Sequence, residues 1–196
     1  FTGQVGKRAQ VAPLRETDMK AWHFVGDTLR DGSPVPADGV TLRHDGELVM
    51  CKTGLHASKR LMDALRYAPG KTICRVEVSG AETQWPGDKI VCRERTILWR
   101  VDGEKMLRAF ARRCALDVIH LWDAPPVVVE YLKTGREDLR DAAGAAVLAA
   151  SEAALEAASE AASWAASEAA SWAAAGDAQN RRLTAMVMAQ HRKETT

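Results

Sequence analysis

Residues 145–176 read AAVL AASE AALE AASE AASW AASE AASW AAAG, one tetrapeptide repeated eight times. Positions one and two are always Ala, and the fourth carries Leu148, Glu152, Glu156, Glu160, Trp164, Glu168, Trp172 and Gly176. Ala is the strongest helix former because it loses no side-chain entropy on folding, and no Pro interrupts the run. The segment is therefore predicted to be helical, about 45–50 Å long at about 1.5 Å per residue. Its period is the harder constraint. Four residues at about 100° each advance about 400°, so the fourth position drifts about 40° around the axis with every repeat. A straight helix of this kind has no fixed apolar face. It keeps one face on a partner only through right-handed winding or by breaking into shorter helices.

A solvated spacer is the simplest alternative, and it fits poorly. Trp164 and Trp172 are large apolar groups, and Glu152, Glu156 and Glu160 repel one another mildly at i,i+4 with no Lys or Arg in the repeat to offset them. Ala and Ser let a neighbouring backbone approach closely, and Trp residues are the anchors that dominate interfaces. Glu152, Glu156, Glu160, Trp164, Glu168 and Trp172 are therefore the candidate partner-binding residues. Two arrangements stay open. The segment breaks near its middle and folds back on the body, or it stays continuous and pairs with a second copy. Its length against a body of some 120 residues favours a homodimer.

Charge is unevenly distributed. The net charge is +1, yet residues 141–176 hold Asp141 and the four repeat glutamates without a Lys or Arg, leaving the rest of the chain net basic by six charges. The small total argues against general nucleic-acid binding. Cys51, Cys74, Cys92 and Cys114 form no C-x-x-C pair, so no zinc site is expected. They are expected to be buried, reduced thiols, which points to a cytoplasmic location. No apolar run is long enough to span a bilayer, and no signal peptide is visible. Because the chain opens on Phe1 rather than Met, its native start is expected to be missing or replaced.

Four regions are expected along the chain. Residues 1–17 are a Gly-rich, flexible leader, 18–135 an α+β body, 136–192 an Ala-rich helical region and 193–196 a frayed tail. Within the body, Met19–Val25 alternates and carries aromatics, as a strand does. Val40–Arg43 and Leu48–Lys52 are expected as short strands joined through Asp45-Gly46, a hairpin dipeptide. Ser58 is the expected N-cap of a helix over Lys59–Tyr67 with Leu61, Met62 and Leu65 inside, stopped by Pro69-Gly70. Thr72–Val78 and Lys89–Val101 are predicted strands, the second one long strand or a hairpin. Glu104–His120 is a predicted amphipathic helix, Val127–Lys133 a short helix ended by Gly135, and Ala178–Arg192 a helix after the repeat. The expected fold is α+β: a small, mostly antiparallel sheet with an inserted helix, then a C-terminal helical region including a long Ala-rich helix.

The run from His44 to Gly80, HDGELVMCKTGLHASKRLMDALRYAPGKTICRVEVSG, carries a resemblance. It resembles an uncharacterised domain family of tailed phages and prophages that shares a C-x-x-G-[LF]-H-A turn, here Cys51, Gly54, Leu55, His56 and Ala57, and a V-E-V-x-G strand, here Val76–Gly80. Members also end in Ala-rich tetrapeptides followed by a Q-N-[RK]-[RK]-L stretch, matched by Gln179–Leu183. The resemblance implies a phage origin without an established activity. It leads to the expectation of a phage-encoded accessory protein in the cytoplasm of an infected bacterium. Such a protein would bind a protein partner, such as a host defence complex, in the manner of an anti-CRISPR inhibitor. A structural phage component is the bland alternative.

Chemistry is sparser. His56 lies in the turn and is expected to hold it, and His23, between Trp22 and Phe24, is expected to be a part-buried core histidine. An enzymatic alternative combines the first strand, the end of the first helix and a later strand. A His on the first strand, Tyr67 at a helix end and a carboxylate on a later strand resemble the outline of an NAD-dependent ADP-ribosyltransferase. That resemblance would make NAD the cofactor and His23, Tyr67 and Glu94 the catalytic set, although the Arg and Ser-Thr-Ser elements of that family are missing. Arg93, Arg95 and Arg100 are expected on one strand face, as a solvated surface or a seat for the acidic helix rather than as a nucleic-acid patch. No metal and no further cofactor is expected.

Overall fold

Alternation along the chain produces the strands that carry the sheet. They are β1 (Met19–Val25), β2 (Thr41–Arg43), β3 (Leu55–Ala57), β4 (Thr72–Thr83) and β5 (Ile90–Asp102). The helices are α1 (Leu61–Leu65), α2 (Glu104–Asp117), α3 (Pro126–Thr134), α4 (residues 140–148) and α5 (Ala169–Glu194). The computed structural model describes residues 19–83, 88–148 and 169–196. Within them the fold is α+β, an antiparallel sheet with helices, as the sequence pattern predicts.

The strand order is β1-β4-β5-β2, and β3 also pairs with β5. β4 lies between β1 and β5, and the far edge of β5 takes β2 on Glu94–Thr96 and β3 on Ile90–Cys92. The sheet then curls until its ends meet. Trp22 of β1 and Ser58, just after β3, exchange both backbone hydrogen bonds at 2.8 and 2.9 Å. An irregularity in the β4–β5 register, where Arg75 faces Trp99 but Val76 faces Ile97, leaves Leu98 without a partner. Such bulges sharpen the local twist.

The alternation sorts side chains onto two apolar layers. Trp22, Phe24, Ile73 and Val101 face the helices and pack with Leu61 of α1, Met106 and Phe110 of α2, and Leu183 and Val187 of α5. Ala21, Val25, Cys74, Val76, Val78 and Ile97 form the layer on the other side. α3 begins at Pro126 and ends on Gly135, whose φ of 66° suits a residue without a Cβ.

Several expectations are corrected. Leu48–Lys52 is not a strand. Val49 and Thr53 close a tight turn, with the Thr53 and Lys52 N–H groups both donating to the Val49 carbonyl at 2.9 Å. β2 therefore does not form a hairpin through Asp45-Gly46; it pairs with β5 instead. Ser58 is no helix cap, because its backbone closes the sheet, and α1 starts after Arg60 with no side-chain cap. α2 stops at Asp117 and a separate 3-10 turn, Ile119–Leu121, follows. Lys193 and Glu194 complete α5, and the hydroxyls of Thr195 and Thr196 bond back to carbonyls of its last turn.

The division expected at residue 135 is not a packing boundary, since α5 supplies part of the body's own core. Leu183 and Val187 are fully buried. Asn180 accepts a hydrogen bond from the Met62 N–H at the start of α1 at 3.1 Å. Asp177 pairs with Arg60 at 2.8 Å and Arg182 with Asp117 at 2.5 Å. The Gln179–Leu183 stretch is thus a docking sequence. Replacing Leu183 with Ala is expected to lower unfolding free energy by about 2–5 kcal/mol. Val118→Ala, at a half-exposed position, should cost less than about 1 kcal/mol. Urea unfolding of both variants checks this.

Candidate functional site

The curled sheet and the loops above it leave a cleft of about 1100 Å³. Three histidine- or arginine-bearing strands meet there: His23 on β1, His56 on β3 and Arg95 on β5. Arg30 and Cys51 come from loops, and Tyr67 and Lys89 stand at the side nearest α1.

The C-x-x-G-L-H-A turn builds one wall. Cys51 takes a positive φ of 65°, and Gly54 takes one of 95°. A Cβ on Gly54 would fall 2.7 Å from Val91 and 2.8 Å from Leu48, so only Gly fits. His56 Nε2 accepts the Cys51 N–H at 3.0 Å, which ties the imidazole to the turn it follows. Burial, then the positive charges of Lys89, Arg95 and Arg30, hold the His56 pKa below its ordinary value, against a backbone hydrogen bond with Gly54. His56 therefore holds its turn, as expected from its position.

His23 faces Cys74 across the β1–β4 ladder. Burial pulls its pKa well below the ordinary value, and Arg95 and His56 add to that. Arg95 is the most enclosed cation here, 6% exposed. Its Nη1 donates to the His56 carbonyl at 2.6 Å, and its buried Nε has no hydrogen-bond partner. Tyr67 donates its hydroxyl proton to Asp88 at 2.7 Å, which raises its pKa, and Lys89 lies 3.5 Å from the ring centroid. The Lys89 ammonium is also 3.5 Å from Cys51 Sγ.

The proposed catalytic trio is not assembled. His23 and Tyr67 line the same cleft, but Glu94 does not. Adjacent residues on a strand point to opposite faces, and Arg95 is the one turned into the cleft. Glu94 instead pairs with Arg43 at 3.4 Å and accepts from Ser79 at 3.2 Å. The three arginines do not share one open face either. Arg93 donates to the Gly46 carbonyl at 2.9 Å, Arg95 is buried, and Arg100 is clamped to Asp38 and the Pro36 carbonyl. The bulge at Leu98 puts Arg100 on the same face as Arg95, opposite Cys74 and Val78 of β4, so it is the engagement of Arg100 by Asp38 and Pro36 that keeps the two from forming one open basic surface. Arg95 as a cleft residue was not legible beforehand, because Arg-Glu-Arg on a strand reads as a solvated face.

The candidate partner-binding residues Glu152, Glu156, Glu160, Trp164 and Glu168 lie outside the described residues, and the side chain of Trp172 does too. Among the described residues, no group of three or more His, Cys, Asp or Glu is placed to hold a metal ion. None of their helices is long and apolar enough to cross a membrane.

All four cysteines are free. Cys74 and Cys92 are buried, and burial pushes each thiol up to about 11. Cys114 is half-buried, while Cys51 is exposed. The expectation that all four are buried fails at Cys51 because its run of apolar neighbours forms a turn, not a strand.

An α+β domain with a cation-lined cleft is thus the class of protein that fold and site define. Residues 19–109 match the family model of a domain of unknown function, DUF7666. The match spans the whole sheet and every cleft residue named above, and ends within α2. No curated protein and no solved structure matches the chain.

Two measurements test this description. Native protein should label rapidly at Cys51 and slowly at Cys74 and Cys92, which become reactive only on unfolding; mass spectrometry of the labelled peptides reads the order. The histidines set an acid limit. A His whose folded pKa is depressed binds fewer protons in the native state than in the unfolded one, so stability falls as pH drops below about 6.5. His23→Gln should flatten the pH dependence of the melting temperature between about pH 6.5 and 5 relative to wild type.

Proposed function

We propose that this chain acts by binding another protein, with the α+β body as an anchor and the Ala-rich segment as the recognition element. The observation that carries the reading is the seating of the repeat's flanks. On the C-terminal side, Leu183 and Val187 are fully buried in the body, and Asn180 and Arg182 hold α1 and α2. On the N-terminal side, Ala143 of α4 is buried at 3% exposure. A stretch rich in Glu and Trp is therefore followed by residues seated in the body's core and preceded by a helix with a buried Ala143. The residues weighed for catalysis support binding instead: His56 is tied into its turn, and Glu94 is engaged away from the cleft.

The resemblance carried by Cys51–Ala57 and Gln179–Leu183 favours a phage source. On that reading the partner is a component of host defence, met in the bacterial cytoplasm, and inhibition of it would be anti-CRISPR-like. Trp164 and Trp172 are the anchors for the partner or for a second copy. Both replaced by Ala keep helix propensity while removing the aromatic area. The double variant should lose capture of the partner from host lysate, and sedimentation equilibrium should show a wild-type dimer becoming monomer. Wild type that already sediments as a monomer excludes self-association. A variant that captures the same partner as strongly as wild type excludes recognition through the Trp residues.

A further inference from the structure

We propose that the cleft between β1, β3, β5 and α1 is a binding site for a small phosphorylated molecule, with Arg95 as the residue that grips the phosphate. This goes beyond partner binding by the repeat and does not depend on it.

Arg95 is the first ground. A buried guanidinium is normally matched by a carboxylate or by a full set of hydrogen bonds, because removing its charge from water is costly. Arg95 is 6% exposed, yet it has one hydrogen bond, to the His56 carbonyl, and no ion pair among the described residues. Its Nε is buried without a partner. Donors left open in a concave, enclosed place are what an anion completes.

The second ground is the company it keeps. Among the described residues Arg30 reaches the Cys51 carbonyl at 3.4 Å, and Lys89 rests on the Tyr67 ring and the Cys51 thiol, and neither is paired there with a carboxylate. Lys89, Arg95 and Arg30 all line the cleft that His56 also lines, and the positive charge of each lowers the His56 pKa. Of the acids in the cleft wall, Asp31 is already engaged by the N–H and hydroxyl of Ser33 at 3.0 and 2.6 Å. Asp27 remains as an opposing charge. Convergent cations suit a group with more than one negative charge and several acceptor oxygens, and Arg binds phosphate through paired N–H donors.

Size supplies the third. A cleft of about 1100 Å³ is far larger than a phosphate ion and slightly exceeds the usual range of organic-ligand sites, about 300–1,000 Å³. Tyr67, 47% exposed, offers apolar area beside Lys89 for the body of such a molecule.

The test uses the full chain and isothermal titration at low ionic strength, with adenosine diphosphate, pyrophosphate and adenosine as probes. Adenosine diphosphate should bind and adenosine should bind at least about tenfold more weakly, since charge-assisted hydrogen bonds carry the affinity. Arg95→Met should weaken adenosine diphosphate about tenfold or more and leave the melting temperature unchanged or raised, because an unmatched buried charge is gone. Arg95→Lys should recover part of the binding. If Arg95→Met is unfolded, Arg30→Met and Lys89→Met decide, each expected to weaken binding severalfold. Equal binding of adenosine and adenosine diphosphate, no binding by either phosphate compound, or affinity unchanged in the folded variants overturns the proposal. A 5′-phosphorylated oligonucleotide that outcompetes adenosine diphosphate through Arg95 would overturn the small-molecule assignment.

Discussion

The position of Trp22 is the constraint on which the remaining structure depends. Its backbone pairs with Arg75 on one side and exchanges two hydrogen bonds with Ser58 on the other, so one residue closes the curled sheet. Its ring packs toward the helices, edge-on to Trp99 at 5.8 Å, with the Arg75 guanidinium 4.5 Å from its centroid. Trp99 in turn stacks flat on His191 of α5 at 3.9 Å. Aromatic pairs of this kind add to what area burial alone contributes. A continuous line of contacts therefore runs from sheet closure through β5 to the C-terminal helix.

Closure also decides what becomes of the polar groups inside the curl. A flat sheet would leave His23, His56 and Arg95 on an open face, fully hydrated. Curling brings β3 toward β1, encloses the three side chains and removes water from them. The depressed histidine pKa values follow from that enclosure first and from the shared positive charge second. With imidazole neutral near pH 7, Arg95 is left as the buried charged group of the cleft. The architecture thus concentrates positive potential at one point while keeping its histidines uncharged.

What could be read in the sequence follows from segment length. β1, β4 and β5 each run for seven or more residues, long enough for alternation to show, and α3 is bounded by Pro126 and Gly135, which act locally. β3 has only three residues, Leu55–Ala57, and no period can be read in three. Leu48–Lys52 misled for the opposite reason: its apolar side chains suggest a strand, but the turn is set by backbone hydrogen bonds between Val49 and Thr53. The cleft was legible in part. His56 and its turn could be placed from C-x-x-G-L-H-A, whereas Arg95 could not, because its burial comes from a long-range curl and not from its neighbours in sequence. Nor could α5 be assigned to the core. Leu183 and Val187 sit four apart, as helix-core residues do, but their partners lie more than 70 residues earlier in the chain.

The cleft and the docked helix share α1, and that coupling is a matter of geometry. α1 is only five residues long, Leu61–Leu65. Just before it, Arg60 pairs with Asp177, and its Met62 N–H is held by Asn180, both partners on α5. Its far end leads directly to Tyr67, and Ala64 within it lines the cleft. Leu61 and Ala64 are both buried, so α1 has little freedom to deform internally. The cleft at Tyr67 and the docked face of α5 at Asn180 are therefore joined through one short, well-packed element.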